Sequence, residues 1–247
     1  MLKTTIYWKL FGLVSRLRKY QLELILPGAG RLIADYQRKS KTTGTKWPTL
    51  YLIIKQIQKT KPKTILELGT GTSTIVIAEC LKRLKQKDPS YNPSLISMES
   101  EIVWYRLALS LLPQEHQTIV KIIYGPRKLY QYGCWRGYYH DNIPLDMEFD
   151  MIFIDGPSYD DQSGSSACLD GVRYACLNLN ADAICIIDTR VSSAFVMQQI
   201  FGSKEFRYRN LTRASMGRIS ALDPAPLLTS QSFKYNLNGQ IKLKKLS

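Results

Sequence analysis

A short glycine-containing turn carries the most specific chemical signal in the sequence. Residues 64–74 read TILELGTGTST, an apolar run followed by Gly69 and Gly71 on either side of one threonine. Glycines let a backbone approach a ligand closely, and the first turn of the helix that follows presents unpaired N–H groups. Ser73 or Thr74 can cap that helix. Thr74 also stands where a dinucleotide fingerprint has its third glycine, which disfavours a nicotinamide dinucleotide as the ligand.

Acidic residues stand at the carboxyl ends of two further apolar runs. Glu99 ends the run LISME, 28 residues after Gly71, and Asp155 ends the run FDMIFID. In open α/β sheets, ligands bind beyond the carboxyl ends of the strands, where the strand order reverses. A carboxylate at Glu99 can accept hydrogen bonds from both ribose hydroxyls of a nucleoside. The spacing therefore predicts a nucleoside site formed by the turn and Glu99, with Asp155 beside it.

Four segments follow one another along the chain: ELGTGTST, SMES, FDMIFIDGP and ICIIDTR. In this order they resemble class I S-adenosylmethionine-dependent methyltransferases, most closely small-molecule and sugar O-methyltransferases, over residues 47–221. The resemblance implies S-adenosyl-L-methionine as the cofactor, with the turn at its methionine part, Glu67 supporting its ammonium end and Glu99 at its ribose. The cofactor-binding residues predicted in this way are Glu67, Gly69, Thr70, Gly71, Ser73, Thr74, Glu99 and Ser100. The acid that such proteins often carry after the third strand, near the adenine, is missing from YGPRKLY.

Transfer of a methyl group to a hydroxyl needs a group that removes the hydroxyl proton. The candidate catalytic residues are His140, which titrates near neutrality as a free side chain, and the strand-end acids Asp155 and Asp188. Metal-dependent O-methyltransferases hold Mg²⁺ with acids at these two strand ends, so the resemblance leaves Mg²⁺ open. A third ligand is missing, and no residue is assigned to a metal. Otherwise Asp155 is a base or substrate anchor, and Arg190 pairs with an acid or with substrate.

His140 lies in an aromatic segment, CWRGYYHDN. Trp135, Tyr138 and Tyr139 could form a wall for the methyl acceptor, since aromatic faces stack on sugars and planar rings. The alternative is a surface loop whose aromatic rings pack on the edge of the sheet.

The apolar runs alternate with longer helical stretches, as in a parallel sheet covered by helices. Strands are predicted at residues 64–68, 95–98, 119–124, 151–154 and 183–187, with a final antiparallel pair at 206–210 and 218–221. Helices are predicted at 5–26, 47–58 and 191–201, and a loop at 38–46. The fold class is thus α/β, a doubly wound Rossmann-like, mostly parallel sheet with a final antiparallel strand. The predicted organisation is a basic helical N-terminal extension (1–46), a methyltransferase domain (47–222) and a C-terminal tail (223–247) with a hairpin at 233–244.

The net charge of +14 is concentrated at the two ends of the chain. Residues 1–63 hold 14 basic and two acidic residues, whereas residues 64–230 have a net charge of −2. Such a segment suits an anionic partner or a solvated face. Helix 5–26 has a stripe at Ile6, Leu10, Leu13, Leu17 and Leu24. It indicates either a helix at a membrane interface or one packed on the domain or a second subunit. We expect this segment to serve location or assembly and to take no part in the chemistry.

The predicted function is methyl transfer to a hydroxyl of a small molecule or glycan. Two alternatives remain: an RNA methyltransferase that uses its basic ends on the phosphates, and a non-catalytic, membrane-associated interaction module with a cofactor-binding fold. The expected partners are a small-molecule or glycan acceptor, with peripheral contact to an anionic membrane and a homo-oligomer as further options. Five cysteines without a CxxC motif, and charges that interrupt the first apolar stretch, predict a cytoplasmic location, which includes the membrane periphery.

Overall fold

A computed structural model describes residues 2–41, 44–156 and 167–224 of the chain, and the side chains of residues 7–41 within the first range. Its helices are α1 (Leu2–Ile25), α2 (Ala29–Ser40), α3 (Trp47–Thr60), α4 (Thr72–Lys87), α5 (Ile102–Leu111), α6 (Asp170–Leu177) and α7 (Val191–Phe201). Its strands are β1 (Thr64–Leu68), β2 (Ser94–Glu99), β3 (Val120–Tyr124), β4 (Arg127–Tyr132), β5 (Trp135–His140), β6 (Met151–Ile154), β7 (Asp182–Asp188), β8 (Arg207–Arg209) and β9 (Ala214–Ser220). The hairpin predicted at 233–244 lies outside the described residues.

Seven strands form one sheet in the order β3-β2-β1-β6-β7-β9-β8. Only β9 among them runs against the others, since it pairs antiparallel with both β7 and β8. The order reverses between β1 and β6, so the carboxyl ends of these two strands flank the point where an open α/β sheet binds its ligand. The predicted fold class, a doubly wound sheet with one late antiparallel strand, is confirmed.

The central strands are buried on both faces, which explains their continuous apolar runs. Because side chains alternate along a strand, Leu66 and Leu68 of β1 pack into one apolar core, whereas Ile65 packs into the other. Helices α1, α2, α3 and α4 contribute to the core that contains Ile65. The sheet is therefore held rigidly between two helical layers, and its carboxyl edge is a fixed platform.

Two elements differ from the predictions. Helix α2 covers a stretch in which no helix was predicted, and its last residues overlap the loop predicted at 38–46. Its buried residues Ala29, Ile33, Tyr36 and Ser40 recur at helical spacing. The segment around His140 is the hairpin β4–β5, in which Tyr132 pairs with Trp135 across a two-residue turn. Gly133 has φ +57° in that turn, a conformation that glycine adopts without strain.

Helix α1 packs on the domain through a face that the stripe does not include. Leu22 and Leu26 are buried in the core beside α3. Leu10, Leu13, Leu17 and Leu24 are all exposed. Helix α1 therefore packs on the domain, as one of the predicted alternatives has it, although these four leucines take no part in the packing. Among the described helices, none combines the length and apolar character needed to cross a bilayer.

Candidate functional site

The turn after β1 is in backbone contact with the end of β6. The backbone N–H groups of Asp155 and Gly156 both donate to the carbonyl oxygen of Leu68, at 2.8 and 2.5 Å. Gly69 has φ +105°, and a Cβ there would lie 2.8 Å from the nitrogen of Gly156. Glycine is therefore required at position 69 by the protein itself.

Gly71 is different, because a Cβ at this position would meet no atom within 4 Å. Its φ of 174° is extended and open to any residue, and helix α4 begins directly after it. Packing and backbone conformation within the described residues therefore do not demand glycine here. An open space beside the N-terminus of a helix is where a ligand can approach the backbone.

A hydrogen-bond network lies beneath the turn. The hydroxyl of Thr74 accepts from the backbone N–H of Gly71 at 2.9 Å and donates to Glu67 Oε2 at 2.6 Å. Ser97 Oγ donates to the same carboxylate oxygen at 2.6 Å. Glu67 is fully buried, and desolvation raises its pKa to about 7, against the lowering effect of its hydrogen bonds with Ser97 and Thr74. Glu67, Thr74 and Ser97 thus hold the turn from below, and Ser73 is buried in the first turn of α4.

A cleft opens above this turn at the carboxyl edge of the sheet. Of the predicted site residues, Gly69, Thr70, Glu99, Ser100, His140 and Asp155 line it, together with Tyr36, Trp104, Gly156 and Arg190. Glu99 is largely buried, and its Oε1 accepts from the backbone N–H of Glu101 at 2.9 Å. Desolvation raises the pKa of Glu99. The structure therefore brings a carboxylate at the end of β2 and the glycine turn to one cavity.

His140 is fully buried at the end of β5 and belongs to a dyad with Asp170, the first residue of α6. Its Nδ1 lies 2.9 Å from Asp170 Oδ2, and its backbone N–H donates to Asp170 Oδ1 at 2.8 Å. A carboxyl group at Nδ1 favours the tautomer protonated there, which leaves a lone pair on Nε2. Within the described part of the chain Nε2 has no hydrogen-bond partner, although it is buried. His140 is also one of the residues that line the cleft.

The two strand-end aspartates are held by threonines from the N-terminal part of the chain. Thr45 Oγ1 donates to Asp155 Oδ2 at 2.9 Å, and Thr49 Oγ1 donates to Asp188 Oδ1. Burial, with the nearby charge of Asp188, raises the pKa of Asp155 to about 7; Arg190 opposes this shift and donates to the backbone carbonyl of Asp155. Asp188 is buried behind the cleft, and burial raises its pKa too. Asp155 therefore lines the cavity with a raised pKa, whereas Asp188 is not among the lining residues.

Magnesium, which the resemblance leaves open, finds no third ligand among the described residues. They contain no group of three or more His, Cys, Asp or Glu side chains that could hold a metal ion. Each aspartate accepts a hydrogen bond from a threonine, and the charge of Arg190 partly opposes the raised pKa of both. A dependence on Mg²⁺ therefore stays an open expectation.

The N-terminal segment helps to build the cleft. Tyr36 of α2 lines it, and burial with the charges of Glu67 and Glu99 raises the pKa of this tyrosine to about 12. With Thr45 at Asp155, the segment thus contributes side chains to the surroundings of the cleft, and its absence from the chemistry stays a prediction. The helical spacing of Ile33 and Tyr36 was a usable signal for α2, but the sequence offers none for the contacts across the cleft.

The aromatic rings near His140 pack against the domain. Trp135 meets Phe195 of α7 edge to face at 5.7 Å between ring centroids, and Tyr139 meets Tyr130 at 6.0 Å. Tyr138 is buried. None of the three lines the described cleft, where the aromatic surface comes instead from Trp104 and Tyr36. The predicted wall for the methyl acceptor is therefore not formed by these three residues in the described cleft.

Several solved structures resemble this chain. No protein-family model matches the chain, and no curated protein matches it. A structure described as a candidate caffeoyl-CoA O-methyltransferase from Staphylococcus aureus is 16% identical, with a TM-score of 0.49, over 77% of this chain and 91% of that one. A candidate class I S-adenosylmethionine-dependent methyltransferase from Listeria monocytogenes is 13% identical, with a TM-score of 0.45, over 83% and 70% of the two chains.

The sheet itself identifies the fold. Five parallel strands in the order β3-β2-β1-β6-β7 are followed by a hairpin-like edge in which β9 lies inside β8 and runs antiparallel. The glycine turn follows the central strand β1, and an acid ends its neighbour β2. The chain therefore has a doubly wound, Rossmann-like α/β fold with one antiparallel strand in an otherwise parallel sheet.

Proposed function

We propose that this protein transfers a methyl group from S-adenosylmethionine to a hydroxyl of a small molecule or glycan. The observation that carries the proposal is the composition of one cleft. The open glycine turn and Glu99 lie on it together with Asp155, a carboxyl group that changes its protonation near pH 7. A nucleoside-binding edge and a proton acceptor are thus combined at the switch point of the sheet.

The residues of the cleft fit the cofactor. The carboxylate of Glu99 has one oxygen engaged by the N–H of Glu101, and such a group at the end of β2 suits the ribose hydroxyls. The open space beside Gly71 leaves the backbone accessible for the methionine part, with Glu67 and Thr74 fixing the turn from below. When bound, S-adenosylmethionine supplies an electrophilic methyl group on a sulfonium.

The chain must then orient the acceptor hydroxyl and take its proton. Asp155 is the first candidate, because a general base is most effective when its pKa lies close to the working pH. Thr45 holds one carboxyl oxygen of Asp155 and thereby fixes the orientation of the group. His140 is the second candidate, since its Nε2 has a free lone pair and Asp170 orients the ring. Trp104 and Tyr36 offer apolar surface to the acceptor.

Calorimetry with S-adenosylmethionine and S-adenosylhomocysteine tests the cofactor, and Glu99→Ala is the diagnostic variant. We expect its affinity for both to fall by about 1–3 kcal/mol, the cost of leaving a polar pair unmade. Glu115→Ala is the matched control, because Glu115 is exposed and remote from the cleft. Release of S-adenosylhomocysteine from a panel of hydroxylated acceptors then tests the reaction. Absence of binding to the wild-type protein would refute the proposed function.

A further inference from the structure

Helix α1 presents an apolar stripe to solvent although its opposite face is anchored in the protein. Leu10, Leu13, Leu17 and Leu24 are spaced by three, four and seven residues, which places them on one side of the helix. Each is between 46% and 64% exposed, and Tyr20 on the same side is 63% exposed. From Leu10 to Leu24 the stripe runs about 21 Å along the helix axis. Such a contiguous apolar surface indicates an interaction site.

The charges around the stripe favour an anionic partner. Residues 2–25 contain five basic residues and a single acid, Glu23. That acid is engaged, since its two carboxylate oxygens accept from the backbone N–H groups of Gly28 and Gly30. Lys9 and Arg16 are exposed along one border of the stripe. A helix with leucines on one side and cations beside them is the pattern of helices that lie in a membrane interface.

A basic groove lies where α1 meets α3. It is lined by Arg18, Lys55, Lys59 and Arg209 around the ring of Tyr51, and none of its lining residues is acidic. The guanidinium of Arg18 lies 4.7 Å from the centre of the Tyr51 ring. The groove thus has the charge that matches lipid phosphates, and one of its cations belongs to the helix that carries the leucines.

The helix is fixed relative to the cleft. Leu22 and Leu26 are buried against α3, and the hydrogen bonds of Glu23 to Gly28 and Gly30 close the corner between α1 and α2. Helix α2 carries Tyr36 into the cleft. A surface bound by α1 would therefore lie in a set orientation to the site.

We propose that α1 docks this protein in the plane of an anionic lipid bilayer, with its leucine stripe in the boundary between headgroups and acyl chains and its cations on the lipid phosphates. This inference does not depend on the proposed methyl transfer. Its test is a binding measurement on the full chain that needs no cofactor.

Sedimentation with vesicles measures the docking directly. We expect the protein to bind vesicles of phosphatidylglycerol and phosphatidylcholine, to bind pure phosphatidylcholine far less, and to be released in part by salt, which screens the attraction. Leu13→Gln with Leu17→Gln should lower the partition coefficient by about tenfold or more, because both side chains lose apolar burial. Lys9→Gln with Arg16→Gln should lower binding to the anionic vesicles by about fivefold per cation.

Leu177→Gln with Leu179→Gln is the matched control, because these leucines are 56% and 86% exposed on another part of the surface. Binding that falls equally in the control and the stripe variant would overturn the proposal, as would wild-type protein that stays in the supernatant. Sedimentation velocity without vesicles identifies a competing occupant. A wild-type dimer that the stripe variant converts to a monomer, with no vesicle binding, would assign the stripe to a second copy of the chain instead.

Discussion

Replacement of Asp155 by asparagine separates the charge of this residue from its shape. The amide has nearly the same volume, and its oxygen can accept the hydrogen bond that Thr45 now donates to the carboxylate. What the variant loses is the ability to ionise. Since burial and the charge of Asp188 oppose ionisation of Asp155, the variant should fold at least as stably as the wild-type protein and transfer no methyl group.

The size of the stability effect follows from the pKa of Asp155. Burial raises it from 3.8 to about 7 in the folded protein. A pKa raised above its unfolded value means that stability is fully present below about pH 4 and is lost as the pH rises through about 7. A shift of about three pH units corresponds to about 4 kcal/mol at about pH 8 and to less than about 1 kcal/mol at about pH 4. We expect Asp155→Asn to recover about 2–4 kcal/mol at the higher pH.

Thermal unfolding of the two proteins at both pH values measures this difference. For a chain of this size, each kcal/mol moves the Tm by about 2–4 °C, so the variant should melt at least about 4 °C higher near pH 8 and almost together with the wild type near pH 4. Glu67 has a raised pKa of the same sign, but it is present in both proteins and cancels. Asp146→Asn is the control, because Asp146 is exposed.

Two results would refute the reasoning. A variant that melts below the wild type near pH 8 would show that the ionised carboxylate stabilises the fold, so that burial does not dominate its pKa. A variant that keeps full methyl transfer with an unchanged pH profile would remove Asp155 as the base. The role of general base would then be assigned to His140, the other candidate among the residues that line the cleft.

The glycines of the turn and the dyad give two further tests. Gly71→Ala should retain the wild-type Tm and lose cofactor affinity, because its Cβ meets no described atom. Gly69→Ala should instead be destabilised by its contact with Gly156 and by its positive φ. Thermal unfolding and calorimetry of both variants distinguish the two effects, and full affinity in Gly71→Ala would remove the turn from the proposed cofactor site. Asp170→Asn should change the preferred tautomer of His140 and shift the pH dependence of kcat while KM for the cofactor stays within about twofold, since Asp170 holds the ring and the backbone N–H of His140 and is not among the residues that line the cleft. A proportional loss at all pH values would indicate a structural role for Asp170 alone.

The sequence by itself determined the sheet and the glycine turn. Strands buried on both faces need continuous apolar runs, and the ranges predicted for β1 and β6 agree residue for residue with the structure. The glycines, Thr74 and the strand-end acids were visible for the same reason, because a tight turn into a helix requires particular residues at consecutive positions. Short-range geometry of this kind depends on the types of neighbouring residues, so it can be predicted from the sequence.

Only the tertiary structure decided which side chains meet across the cleft. Thr45 reaches Asp155 over 110 positions and Thr49 reaches Asp188 over 139, contacts that depend on how the N-terminal helices pack and on no local pattern. The raised pKa of Asp155 likewise arises from burial, and burial is a property of the assembled fold. The same packing buries Leu22 of α1 and Leu26, which follows the helix, and leaves the more regular leucine stripe outside. A helix of this length offers two apolar faces, and the domain covers one.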